Sequence, residues 1–83
     1  MMRRKNIIFS AEAWDDYLYW KRMDKRKVKT INHIIKSIIV SFNKEKTFLN
    51  AAKIYSISID FRHRVIFKID DYSLNIISCR LHE

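Results

Sequence analysis

At Ile54 the spacing of apolar residues changes from three and four to two, and this switch limits the chain to a fold with a helical half and a stranded half. Before it, Val28, Ile31, Ile34, Ile35, Ile38 and Phe42 recur at helical steps, with Lys25, Arg26, Lys27, Lys29 and Lys36 on the opposite face. After it, "IYSISID" alternates, "HRVIFKID" alternates less cleanly and "SLNIISCRL" follows, with Asp70-Asp71 as the turn signal between the last two. Upstream, the short apolar run Asn6 to Phe9 leads to Ser10 and then "AEAWDDYLYWKRM". Ser at the N-cap, Glu12, Asp15 and Asp16 early and Lys21 and Arg22 late is the charge order that a helix dipole favours. Trp14, Tyr17 and Leu18 share a face of that helix with Ala11 and Lys21. Asp24 caps the second helix almost without a loop, which predicts an αα-hairpin. Asn43 to Lys53 is polar and poorly periodic, a loop in which "FLNAAK" is long enough for one helical turn. The order is then β-α-α-β-β-β, an α+β fold whose three C-terminal strands form an antiparallel meander covered on one face by the helices.

A chain of 83 residues suits one domain, 1–83, with a single modest core, so any active site must lie on the surface of that core. Glycine and proline are both absent, which leaves the turns to Asn and Asp. Lys and Arg number 17 against 9 Asp and Glu, a net charge of +8 that predicts attraction to polyanions, nucleic acid before anionic lipid. The one cysteine, Cys79, has no internal partner for a disulfide, and a reducing compartment follows. Lys36 interrupts the best membrane-span candidate, His33 to Phe42. "MMRRKNIIF" has the positive flank of a signal peptide but too short an apolar stretch, so the expected location is cytoplasmic.

Strand parity brings the charged residues together. If the apolar members of the last two strands face the helices, Val65, Phe67 and Ile69 lie on one side with Ile77, Cys79 and Leu81, which requires an odd loop such as Asp71-Tyr72-Ser73. Arg64, Ile66 and Lys68 then share the outer face with Arg80 and His82, and Arg62 comes near His82. Tyr55, Ile57 and Ile59 point inward and leave Ser56 and Ser58 outside. A solvated sheet face is an ordinary place for Arg and Lys. Like charges set opposite one another destabilise a sheet, however, and Arg64 near Arg80 makes sense with an anion such as phosphate between them. His63 falls on the inward parity, a structural place, and Cys79 reads as a buried, inert thiol. No Cys/His spacing suggests zinc, and no other metal or cofactor is expected.

"AEAWDDYLYWKRMDKRKVKTINHIIK", with "HRVIF", "DDYSL" and "SCRLHE", closely resembles the YoeB (Txe) toxins of bacterial toxin-antitoxin pairs, within the RelE superfamily, over about four fifths of the chain. The resemblance implies a RelE-like, microbial-RNase-like sheet and a ribosome-dependent endoribonuclease that cuts mRNA without metal by 2′-hydroxyl attack on the adjacent phosphate. Carried over by position, Arg64 resembles the arginine that stabilises the transition state, His82 the general acid and Glu45 the general base. Lys44, Lys46, Arg62, Arg80 and Glu83 are placed to support the RNA or its phosphate. Lys25, Arg26, Lys27 and Lys29 are either a solvated helix face or a contact to ribosomal RNA. The implied partners are a YefM/Axe-type antitoxin, the 70S ribosome and mRNA, with no membrane and with a homodimer allowed. This chain departs from the family pattern in its shortened loop, in Ser58 where a supporting arginine is usual, and in Glu83 where an aromatic is usual. These departures leave a rival reading, a catalytically weakened relative that acts mainly as an antitoxin- and ribosome-binding module.

Overall fold

The structure, a computed structural model, describes residues 5–41 and 54–81. Strand β1 (Asn6–Phe9) leads into helix α1 (Ala11–Met23), then α2 (Lys25–Ser41), β2 (Tyr55–Ser58), β3 (Arg64–Ile69) and β4 (Ser73–Ser78). This is the expected α+β order, with both helices packed on one face of a four-stranded sheet ordered β1-β4-β3-β2. The last three strands form the antiparallel meander. β1 adds parallel to β4 and makes the sheet mixed, a pairing that the sequence pattern did not specify.

Each helix starts as its capping residue dictates. The Ser10 hydroxyl accepts from the Ala13 N–H at 3.0 Å, and Asp24 Oδ1 accepts from the Arg26 N–H at 3.1 Å. Carboxylates also replace glycine in the hairpin turns. Asp60 Oδ1 accepts from the N–H groups of Arg62 and His63 at 2.8 and 2.7 Å, and Asp70 Oδ1 does the same for Tyr72 and Ser73 at 2.8 Å each. Asp60 also pairs with the Lys27 ammonium across from α2. That ammonium first, then the two N–H donors, hold the Asp60 carboxyl well below the usual 3.8. A depressed folded pKa contributes stability that is present above the unfolded value and lost as pH falls below it. In urea unfolding from about pH 5 to about pH 2, the wild type is expected to lose stability below about pH 4 more steeply than Asp60→Asn. Parallel curves for the two proteins would contradict this assignment.

The core lies between the helices and the sheet. Ile31, Ile34, Ile35 and Ile38 of α2 and Ala13 and Trp20 of α1 pack on Tyr55, Val65, Phe67, Leu74, Ile76 and Cys79. The α2 stripe is the one its spacing predicts. On α1, by contrast, the buried positions are Ala13, Asp16 and Trp20, while Trp14 and Leu18 stay substantially exposed. Trp14 stacks on Tyr17 at 5.8 Å, and Phe9 of β1 meets both rings edge-on, so these aromatics cover the β1 edge of the core.

Strand parity needs one correction. Asp70 N–H donates to Ser73 O, so only Asp71 and Tyr72 lie between the facing positions, and the register is Ile69–Leu74, Lys68–Asn75 and Phe67–Ile76. Leu74 and Ile76, rather than Ile77, therefore face the helices next to the turn. A β-bulge then intervenes and pairing resumes at Ile66–Ser78. The extra residue restores the odd parity beyond it, so Cys79 points inward as expected. Ser10 braces this irregularity as well, since its hydroxyl donates to the carbonyl of Ile77 at 2.7 Å. Leu81 was expected inward as an apolar anchor, but its side chain is 45% exposed.

Cys79 is fully buried. Burial, and secondarily the charge of Asp16, push its thiol up to about 12 from the usual 9.0. Reaction of the native protein with a thiolate-selective reagent is expected to run roughly a thousandfold slower than that of a free cysteine, and urea should restore it. Rapid labelling without denaturant would show that the C-terminal segment opens.

Candidate active site

On the outer face of the sheet, at the edge that α1 reaches, β3, the turn before it and the segment after β4 gather Arg62, Arg64 and Arg80 around a cleft of about 270 Å³, which is also lined by Glu12, Ile66, Ser78 and Leu81. The meander explains the gathering. Arg64 begins β3, and the register that runs through Ile66–Ser78 carries Arg80 to the level of Arg64. Arg62 reaches the same cleft from the tight Asp60 turn that precedes β3.

Arg64 is held by two serines of the neighbouring strand. Its Nε donates to Ser56 Oγ at 2.7 Å and its Nη1 to Ser58 Oγ at 2.7 Å. Two side chains thus fix the plane of the guanidinium, a fork suited to phosphate. At Ser58, where the resemblance implies an arginine, the serine hydroxyl instead accepts from Arg64. The Arg80 guanidinium carbon lies 3.8 Å from the centre of the Tyr19 ring, within cation–π range. Tyr19 and Glu12 were not singled out from the sequence, because nothing in α1's own periodicity shows which of its faces meets the edge of a sheet.

Of the residues picked out by sequence, the structure therefore brings together Arg62, Arg64 and Arg80 on one face, with Ser56 and Ser58 beside them. Glu45, Lys44, Lys46, His82 and Glu83 lie outside the described residues. Lys25, Arg26 and Lys29 are exposed on α2, while Lys27 is engaged with Asp60 and Arg26 with its own capping residue Asp24. His63 is structural, as its parity implied: its Nδ1 accepts from the Leu81 N–H at 2.9 Å, and its ring meets Trp20 edge-on at 4.8 Å. Among the described residues no group of three or more His, Cys, Asp and Glu side chains could hold a metal ion, and no helix is long and apolar enough to cross a membrane.

A helical hairpin laid on one face of a four-stranded sheet is a fold that this chain shares with solved toxins of the YoeB type. The chain superposes on one from the solved YoeB-YefM complex of Staphylococcus aureus with a TM-score of 0.80 at 33% identity, covering 98% of this chain and 100% of that one. It matches a chain of the YoeB dimer from the same organism with a TM-score of 0.77 at 36% identity, over the same shares. Residues 9–83 match the family model of the YoeB-like toxin of bacterial type II toxin-antitoxin systems. Toxin YoeB of Escherichia coli O6:H1 (strain CFT073) is 41% identical over 81 residues, 92% of this chain and 96% of that protein. The chain belongs to the YoeB family of type II toxins.

Proposed function

We propose that this toxin is a ribosome-dependent mRNA endoribonuclease that cleaves by 2′-hydroxyl attack on the adjacent phosphate. The observation that carries the reading is Arg64, fixed by Ser56 and Ser58 in a cleft shared with Arg62 and Arg80. Three guanidinium groups share the cleft with one carboxylate, Glu12, and the excess of positive charge favours a bound phosphate. The same positive charge stabilises the extra negative charge that a phosphorane carries in the transition state. Glu45 takes the proton from the 2′-hydroxyl as the new O–P bond forms, and His82 protonates the 5′-oxygen as the old bond breaks. Arg62 and Arg80 hold the phosphate, with Lys44 and Lys46 supporting it from the loop and Glu83 adjoining the acid.

Lys25, Arg26 and Lys29 meet ribosomal RNA phosphates, a salt-sensitive attraction, whereas Lys27 is already paired with Asp60. A YefM-type antitoxin segment covers the basic face, in keeping with the partner named in the S. aureus complex, and the S. aureus dimer supports a homodimer here. The hydrogen bond from Arg64 to Ser58 favours an active nuclease over a weakened binder, because the altered position still serves the arginine.

Induced expression with primer-extension mapping of cellular mRNA tests the proposal. Growth arrest with discrete cleavage within coding sequences is the expected result. Slowed growth with intact mRNA would leave a ribosome-binding module, and the absence of both effects would overturn the nuclease reading.

A further inference from the structure

β4 ends at Ser78, yet the segment that follows it is not loose. Cys79 is fully buried and its backbone polar groups are met by side chains distant in sequence. The Cys79 N–H donates to Asp16 Oδ2 at 2.9 Å, and the Cys79 carbonyl accepts from Trp20 Nε1 at 2.9 Å. The Leu81 N–H donates to His63 Nδ1 at 2.9 Å. Arg80 sits between these two fastened residues, with its guanidinium over Tyr19 and facing the cleft of Arg62 and Arg64. Asp16 is itself 1% exposed, a buried carboxylate placed where a helix stripe would ordinarily carry an apolar residue. Such a group is costly to bury unless it does something an apolar side chain cannot, and accepting the N–H of the segment that carries Arg80 is such a task.

His63 is set just as firmly. Its N–H donates to Asp60 Oδ1 at 2.7 Å, its carbonyl accepts from Ile59 N–H at 2.8 Å, and its ring is braced on Trp20. With the Leu81 N–H directed at Nδ1, the neutral ring keeps its own proton on Nε2.

We propose that Asp16, Trp20 and His63 are positioning residues: a side-chain clasp on the backbone of Cys79 and Leu81 that holds Arg80 at the phosphate subsite beside Arg64. Among the described residues the pairing of β4 ends at Ser78, and the clasp fixes a backbone from which a long, flexible arginine would otherwise sweep a wide volume. Its functional meaning rests on the ribonuclease reading, whereas its existence does not.

The test compares His63→Leu, which removes the acceptor, with His63→Asn, whose Oδ1 can accept near the position of Nδ1. In each purified protein, amide hydrogen exchange at Leu81 is measured by NMR, and cleavage of ribosome-bound mRNA is resolved into kcat and KM. His63→Leu should speed Leu81 exchange about tenfold and lower kcat/KM about tenfold, the size of one lost hydrogen bond, with an unchanged fold by circular dichroism. His63→Asn should restore both to within about threefold of wild type. In an Arg80→Ala background, His63→Leu should cost less than about twofold further, because its effect runs through Arg80. Unchanged Leu81 exchange in the leucine variant, or no rescue by asparagine, overturns the clasp. Full additivity with Arg80→Ala overturns its role in positioning. If wild type cleaves nothing, the ribonuclease reading falls, and Leu81 exchange still decides whether the clasp exists.

Discussion

Replacing Arg64 by alanine is expected to lower mRNA cleavage by about 100-fold to 1,000-fold, the usual loss when one preorganised donor is taken from a developing oxyanion. Arg64 is exposed and its partners are two serine hydroxyls at the edge of the sheet, so its removal should leave the melting temperature almost unchanged. The effect then belongs to the transition state rather than to folding. Arg64→Lys sharpens the point. Lysine keeps the charge but has no planar fork to hold both Ser56 and Ser58 while facing a phosphate, and it should recover only a part of the lost rate. Cleavage of ribosome-bound mRNA by purified variants, followed by primer extension, provides the measurement. An alanine variant within about threefold of wild type would remove Arg64 from the chemistry.

The largest effect on stability is expected at Trp20. It is 6% exposed, packs in the core and donates its indole N–H to the buried carbonyl of Cys79. Trp20→Ala loses about 3–5 kcal/mol through the missing volume, and the orphaned carbonyl adds about 1–3 kcal/mol. Small domains hold about 5–15 kcal/mol in total, so this single change should leave much of the protein unfolded near body temperature. Trp20→Phe keeps most of the volume but orphans the same carbonyl, a loss of about 1–3 kcal/mol. For a chain of this size each kcal/mol corresponds to a fall of about 4–8 °C in melting temperature, so the phenylalanine variant should fall clearly less than alanine, which adds the cavity. Thermal melts followed by circular dichroism distinguish the two. Equal shifts would mean that the indole N–H, not the packing, dominates at this position.

Most of the fold could be read from period and caps. Ser10 and Asp24 mark where the helices begin because their side chains compete for backbone N–H groups that a helix start leaves empty. Asp70 marks the last hairpin for the same reason. The outer-face cluster of Arg62, Arg64 and Arg80 followed from parity, although the route assumed for it was too simple. The bulge before Ser78 shifts the faces midway along β4, and no alternation rule reveals a bulge before the two strands are paired. The buried face of α1 was harder still. Asp16 reads as one of the early acids of the helix and Trp20 lies outside the face picked out for α1, yet both are buried and hydrogen-bonded to Cys79 of the C-terminal segment. Tertiary hydrogen bonds of this kind leave no periodic trace in a sequence.

The pairing of β1 with β4 also sets the order of events in time. Ser10 and Ile77, joined through a side chain, lie 67 positions apart, and the bonds from Asp16 and Trp20 to Cys79 span 63 and 59. Contacts this distant form late, since the loop they close must first lose its freedom. The helical hairpin can fold from local signals as it leaves the ribosome, but the arginine cleft cannot exist until β4 has docked between β1 and β3. A nascent or partly folded chain therefore lacks the arginine cleft, which is complete only once the C-terminal strand is in place between its two neighbours.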